Sequence, residues 1–385
     1  MNAQSPSPSK TTDVVFTFSF DTWATSIRRK IFPSDVIAKD LLVSPRVRKL
    51  LVADPYTSVL GAVRRRVRGE HVVFPCHERA SLFAPLRIRR QDPIDPNSIR
   101  GIYARYITKL EATAKARGLV DPVLLTTHPF VAASAIQGGF WKHVSYYGWD
   151  DWAAHPTFLP YKKALLESYA SIASAGHRVI GVTPRIVERI ASSGFSTVIP
   201  NGLFPSEWTD RVAAPSWFTD LPQPRLLYTG GVDSRIDIDY IFAVSQAFPS
   251  ASISIVGPVQ DAAAVSPLRE LPNVHFAPLQ PREVIRGITF AADVALIPHV
   301  VSDLTQAMSP LKMYEYLAAG RPVVATDLEP IRAIREVRRA GSPAEFVQEI
   351  RSALVLGAAS EEDRMAFVKN NSWSARLELL YDAAF

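Results

Sequence analysis

The chain has 385 residues, 47% of them hydrophobic, with a formal charge of +6 and one cysteine. That length exceeds one ordinary domain and supports two cores, which excludes global disorder. A lone Cys76 excludes an internal disulfide, fits a reducing cytoplasm, and is a weak case for a thiol nucleophile.

The start, MNAQSPSPSKTT, lacks the apolar core of a signal peptide and reads as a disordered tail over 1–12. No uncharged stretch has the ~20 predominantly apolar residues that a membrane span needs. The N-terminal half, 13–204, then alternates strand-like and helix-like segments. DVVFTFSF (13–20), KLLVADP (49–55), PVLLTTHP (122–129), WKHVSYYGWDD (141–151), HRVIGVTP (177–184) and FSTVIPNG (195–202) are the strand-like runs. Short apolar runs alternating with helices predict a parallel sheet covered on both faces.

Charge is uneven. Residues 1–204 carry 27 Lys and Arg against 15 Asp and Glu, and the remainder 16 against 22. Most of the excess lies between Arg28 and Arg90, in RRK, RVRK, RRRVR and RIRR. It is either a solvated surface or a basic face toward an anionic membrane surface or a phosphate-bearing substrate. Nucleic acid is not expected, because no reading module accompanies these arginines.

Proline and tryptophan interrupt 205–223, which reads as a linker. A second alternating series fills 224–360, and a helical segment over 361–385 closes the chain, with packing back onto the N-terminal domain open to it. The fold class expected is α/β, two doubly wound Rossmann-like domains facing a cleft.

The segment SPLKMYEYLAAG (309–320) is predicted as a helix, with Ser309 as N-cap, Pro310 at the first position and Gly320 just past the end. Its start would present the N–H groups of Leu311, Lys312 and Met313 to an anion such as diphosphate, with the Lys312 charge added. Glu315, one turn on and on the same face, could accept hydrogen bonds from a diol such as ribose. Alternatively, Lys312 and Glu315 form only an i,i+3 surface pair. In LLYTGGVDSR, Gly230 and Gly231 follow a strand and permit close approach to a phosphate that Arg235 could bind bidentately.

The segments YTGGVDSRID, SISIVGP, LPNVHFAPL, ADVALIPH and SPLKMYEYLAAGRPVVAT, in this order, resemble the C-terminal half of the GT-B-fold glycosyltransferases of group 1, or family 4, and VIPNG (198–202) resembles their hinge signature. The resemblance implies a nucleoside-diphosphate sugar of UDP or GDP type as co-substrate, with no further cofactor. It implies that Lys312 contacts the diphosphate and Glu315 the ribose, with Gly230, Gly231 and Arg235 near the phosphates. It also implies a glycan or lipid-linked acceptor in polysaccharide or cell-envelope synthesis. Retaining members carry Glu-x7-Glu ending at the position of Glu315. Ala307 stands at its first position here, which leaves the sugar and the stereochemistry open.

Inverting transfer needs a base for the acceptor proton. Asp150 and Asp151 in YYGWDDW, Asp21 in SFDTWAT and His128 in TTHPF all follow strands and are the candidates. Each has a structural alternative, as a helix cap or a packed histidine. Asp237 and Asp239 match a metal-binding Asp-x-Asp only superficially, and capping accounts for them better. No metal requirement is expected. The enzyme expected is a metal-independent hexosyltransferase, cytoplasmic or peripheral on the inner face of the membrane. A sugar-nucleotide 2-epimerase or a catalytically degenerate binding subunit of the same fold are the alternatives.

Overall fold

The computed structural model of the chain describes residues 11–29, 33–69, 72–75 and 77–385, so Cys76 lies outside the described residues. It divides into two compact units, one of residues 1–200 with 377–385, the other of residues 201–376.

In the first unit seven strands form one sheet: Thr12–Thr17 (β1), Val47–Ala53 (β2), Ala80–Phe83 (β3), Val123–Thr126 (β4), His143–Gly148 (β5), Arg178–Gly181 (β6) and Ser196–Val198 (β7). Their order is β3-β2-β1-β4-β5-β6-β7, every pairing parallel. Val14, Val15 and Phe16 are all fully buried. Helices cover both faces, which is why these runs are continuously apolar. Strand order reverses between β1 and β4, where open α/β sheets bind ligands. Phe20 and Asp21 follow β1 there, and His128 follows β4. Residues 377–385 complete this unit. The Tyr381 hydroxyl donates to Asp40 Oδ2 at 2.5 Å, and Arg178 and Ser145 donate to the carbonyls of Ala383 and Ala384, both at 2.9 Å.

The second unit repeats the plan with Arg225–Thr229 (β8), Ser252–Val256 (β9), Val274–Ala277 (β10), Val294–Ile297 (β11), Val323–Thr326 (β12) and Val337–Ala340 (β13). The order β10-β9-β8-β11-β12-β13 is again parallel throughout, with the reversal between β8 and β11. Residues 205–223, read from the sequence as a linker, belong to this unit's core. Short helices Pro205–Trp208 and Ser216–Thr219 deliver Trp208 and Phe218, both fully buried. Arg364, only 1% exposed, donates to the carbonyls of Trp208 at 2.5 Å and Ala318 at 2.8 Å and fixes this segment to the Leu311–Ala318 helix. Among the described residues no helix is long and apolar enough to cross a membrane.

Candidate functional site

The strand reversal of the second unit gathers the residues expected to bind a diphosphate. Gly230 and Gly231 end β8, and Gly257 ends β9 beside them. Gly230 and Gly257 take φ of +129° and +153°, values open to glycine alone among residues without strain. The Gly230 N–H donates to the carbonyl of Val256 at 2.9 Å, so the two turns are laced together. A Cβ on Gly230 would lie 3.0 Å from Lys312 Nζ, which places the ammonium directly over the glycine turn.

Lys312 sits in the first turn of the Leu311–Ala318 helix. Its Nζ is 3.7 Å from the centroid of the Tyr228 ring and 3.4 Å from His299 Nε2. Burial and the nearby Arg235 charge hold the Lys312 pKa well below the usual lysine range, against the pull of Asp233 and Glu315. Burial, with Lys312 and Arg235 adding to it, keeps His299 neutral. The two nearby carboxylates are already engaged. Asp233 holds Arg235 at 2.6 Å and Glu315 is paired with Arg282, whose other arm meets Glu207 at 2.6 Å. With both carboxylates held by arginines, Lys312 lies over the glycine turns with no ion pair to a described carboxylate, the setting of an anion site.

Two details of this helix differ from expectation. Ser309 is not its N-cap: Pro310 takes that position, and Ser309 instead accepts from Asn201 N–H at 3.3 Å and, through its carbonyl, from the Asn201 side chain at 2.8 Å. The Met313 N–H is spent on the Pro310 carbonyl at 3.1 Å, so the helix start offers Leu311 and Lys312 only. Gly320 does follow the helix, at φ +70°. Ala307, which stands at the first position of the Glu-x7-Glu pattern, ends a short helix, Asp303–Ala307, and is fully buried.

The sequence reading missed Arg282, Asp233 and His299. His299 stands directly after the strand DVALIP and Asp233 lies between Gly231 and Arg235, signals a closer look at strand ends would have used. Arg282 carries no local signal, since it comes 33 positions before its partner. Asp237 caps the Ile238–Ala247 helix, accepting from Asp239 N–H at 3.1 Å. Among the described residues no group of three His, Cys, Asp or Glu is placed to hold a metal ion.

In the first unit the four base candidates separate. His128 is fully buried and its pKa is pushed down to about 3 by burial, with Arg87 adding to it. Its Nδ1 accepts from Phe130 N–H at 3.3 Å, which leaves the proton on Nε2, 3.0 Å from the Tyr103 hydroxyl. Tyr103 in turn donates to Asp92 at 3.0 Å, so His128 has no lone pair left for a substrate proton. Asp151, 1% exposed, is paired with Arg189 at 3.0 Å and accepts from Ala153 N–H at 3.2 Å, as a cap would. Asp150 and Asp21 are only partly buried. Asp150 accepts from Asp151 N–H at 2.9 Å, and Asp21 lines a concavity of 650 Å³.

Asp54, just past β2, was not singled out by sequence. It accepts from Trp23 N–H at 2.6 Å, and burial pushes its carboxyl up to about 7 despite that bond and the Arg65 charge. A folded pKa above the ordinary 3.8 gives a contribution to stability that is complete below that value and lost as pH rises through about 7. Asp54→Asn keeps an acceptor for Trp23. Its stability relative to wild type is expected to improve by about 3 kcal/mol between about pH 5 and pH 8, read from urea midpoints. An offset independent of pH would show that Asp54 titrates normally.

Residues 223–355 match the family model for group 1 glycosyl transferases. A Bacillus subtilis (strain 168) protein, provisionally named as the teichuronic acid biosynthesis glycosyltransferase TuaH, is 36% identical over 104 residues, a stretch that is 26% of this chain and 26% of that protein. The match thus spans about a quarter of that relative's length. Solved structures match nearly end to end. Sucrose-phosphate synthase from Thermosynechococcus elongatus has a TM-score of 0.67 at 14% identity, covering 96% of this chain and 98% of that one. An E. coli trehalose-6-phosphate structure bound with UDP-2-fluoro glucose gives 0.65 at 12%, covering 97% and 99%. These likenesses establish the fold. Over residues 223–355 the chain is similar to the group 1 glycosyl transferases, and as a whole it has the GT-B fold of these solved structures.

Proposed function

We propose that the protein is a glycosyltransferase that moves a sugar from a nucleoside-diphosphate donor to a glycan or lipid-linked acceptor in polysaccharide or cell-envelope synthesis. The observation that carries this is Lys312, held over the Gly230 turn with both nearby carboxylates taken by arginines. Lys312 and Arg235 neutralise the charge that develops on the departing diphosphate, which is the largest electrostatic demand of the reaction. The reading is therefore of a metal-independent transfer. Glu315, paired with Arg282, takes the ribose hydroxyls; Leu311 adds its backbone N–H. Asp21 and Asp150, the two candidates not closed off by burial, are the choices for the base that takes the acceptor proton. An envelope acceptor is supported by the relative named for teichuronic acid biosynthesis, and UDP by the neighbour of the same fold that holds a UDP sugar. The basic Arg28–Arg90 region supports a location peripheral to an anionic cytoplasmic membrane face.

A thermal-shift panel of nucleoside diphosphates and their sugars tests the donor site, since a ligand bound by the native state raises its stability by about 2.7 kcal/mol at a hundredfold excess over Kd. Incubation of the stabilising sugar nucleotide with membrane lipid extract then tests transfer. Product that forms only with extract supports the reading. Conversion of the sugar nucleotide alone would make the protein an epimerase, and binding without conversion in either case a non-catalytic subunit.

A further inference from the structure

The concavity that holds Asp21 lies wholly within the first unit and is lined by Phe20, Tyr56, Arg64, Arg65, Arg68 and Arg90 among others. Its aromatic wall is rigid. Phe20 packs on Phe158 and Trp152 at centroid distances of 4.2 and 5.0 Å, and Tyr56 on Tyr106 at 5.3 Å. Arg79 is spent on backbone carbonyls and Arg87 on Asp92, whereas Arg64, Arg65, Arg68 and Arg90 form no ion pair with a described carboxylate. Four such cations, with Asp21 the one carboxylate in the lining and Asp54 drawn on by Arg65, repel one another unless a further anion joins them.

A second observation concerns the Val59–Val67 helix, which supplies Arg64 and Arg65, with Arg68 as its C-cap. Ser58 caps it, accepting from Gly61 N–H at 3.1 Å, yet none of its residues is buried. Leu60, Val63 and Val67, at i, i+3 and i+7, make an apolar stripe that is 81%, 56% and 82% exposed, with Ile88 near the same concavity at 90%. A helix that buries nothing has no internal reason to be apolar on one side. Apolar stripe and arginine row lie side by side, the pattern of a surface that meets an anionic head and a hydrocarbon chain together.

We propose that this concavity binds the phosphate or diphosphate head of a lipid-linked acceptor, with Arg64, Arg65, Arg68 and Arg90 on the anionic oxygens and the Leu60–Val63–Val67 stripe with Ile88 along the lipid chain. The inference rests on the reading of the protein as a glycosyltransferase and names the class of its acceptor. Phe20 and Tyr56 offer flat faces to whatever the head carries, and Asp21 shares the same wall.

The probe is a short prenyl diphosphate, titrated calorimetrically into the full chain beside inorganic diphosphate and phosphatidylglycerol vesicles. Arg64→Glu/Arg68→Glu and Leu60→Ser/Val67→Ser alter exposed residues only, so folding survives. Each double variant is expected to weaken prenyl diphosphate binding by about tenfold or more, as lost charge-assisted bonds or apolar contacts dictate. Lys312→Ala removes any binding at the donor site but leaves the component that depends on Arg64 and Arg68 unchanged. Equal affinity for the prenyl and inorganic diphosphates overturns the lipid-linked assignment. Loss in Lys312→Ala with retention in Arg64→Glu/Arg68→Glu overturns the site itself. Tight vesicle binding without prenyl diphosphate binding reassigns the patch to bulk lipid headgroups and also overturns it. UDP binding is read in the same variants and is expected to fall in Lys312→Ala but not in the two double variants, so the donor-site reading stands or falls separately.

Discussion

Replacing Lys312 by alanine is expected to weaken UDP binding by roughly 10- to 100-fold, the value of one charge-assisted contact of about 1.5–3 kcal/mol. The fold should survive, because Lys312 is only partly buried and its nearest groups, the Tyr228 ring and His299, are neutral and packed independently of it. The pH dependence sharpens the expectation. Burial and Arg235 depress the Lys312 pKa in the empty site, so the site loses part of its charge as pH rises through that lowered value. An arriving diphosphate favours the ammonium. Above the depressed pKa, binding must take up a proton and affinity falls with rising pH. Calorimetry in two buffers of different ionisation enthalpy counts that proton. Wild type should show uptake and Lys312→Ala should not. Equal affinities at every pH would remove Lys312 from the donor site.

How far the sequence carries is visible at this site. The helix SPLKMYEYLAAG was legible because a proline, a glycine and a 3.6-residue apolar pattern agree, and Met313, Tyr314, Tyr316 and Leu317 do face the core. Its exact start was not: Ser309 suits an N-cap by type, but a long-range partner, Asn201, claims it. The same limit explains Arg282, which bridges Glu207 and Glu315 across a hundred residues of chain. Pairings of that kind follow from the sheet order, and no local pattern encodes them. In the first unit the strand ends were legible, and they bring Asp21 and His128 to the reversal of the sheet. Which of the candidates still has a usable carboxylate or lone pair depends on burial by distant aromatics and on Arg189, Tyr103 and Asp92. The tryptophans and prolines of 205–223 were misleading for a related reason. Proline marks breaks in regular structure, but between the breaks Trp208 and Phe218 are large enough to fill a core.

Gly257→Ala is the substitution expected to damage the protein most. A Cβ at this position would lie 1.9 Å from the carbonyl oxygen of Gly230, a backbone atom that cannot swing aside, and φ of +153° adds strain of its own. Relief requires the β8 and β9 turns to part, breaking the Gly230 N–H bond to Val256 and the Gly257 N–H bond to Ala277. The loss of stability should exceed about 4 kcal/mol, at the extreme of single substitutions. Gly230→Ala is the matched control. Its Cβ meets chiefly the mobile end of Lys312, at 3.0 Å, so the fold can yield there by moving the ammonium. Its stability loss should stay nearer the 1–3 kcal/mol of backbone strain alone. Its UDP affinity should fall about as far as that of Lys312→Ala, because the cation no longer sits over the turn. Urea midpoints and UDP titrations on the two variants separate the roles. Gly257 holds the two glycine turns together, and Gly230 leaves room above them for a charge. Similar stabilities for the two, or Gly230→Ala with full UDP affinity, would show that the turns are not built around Lys312.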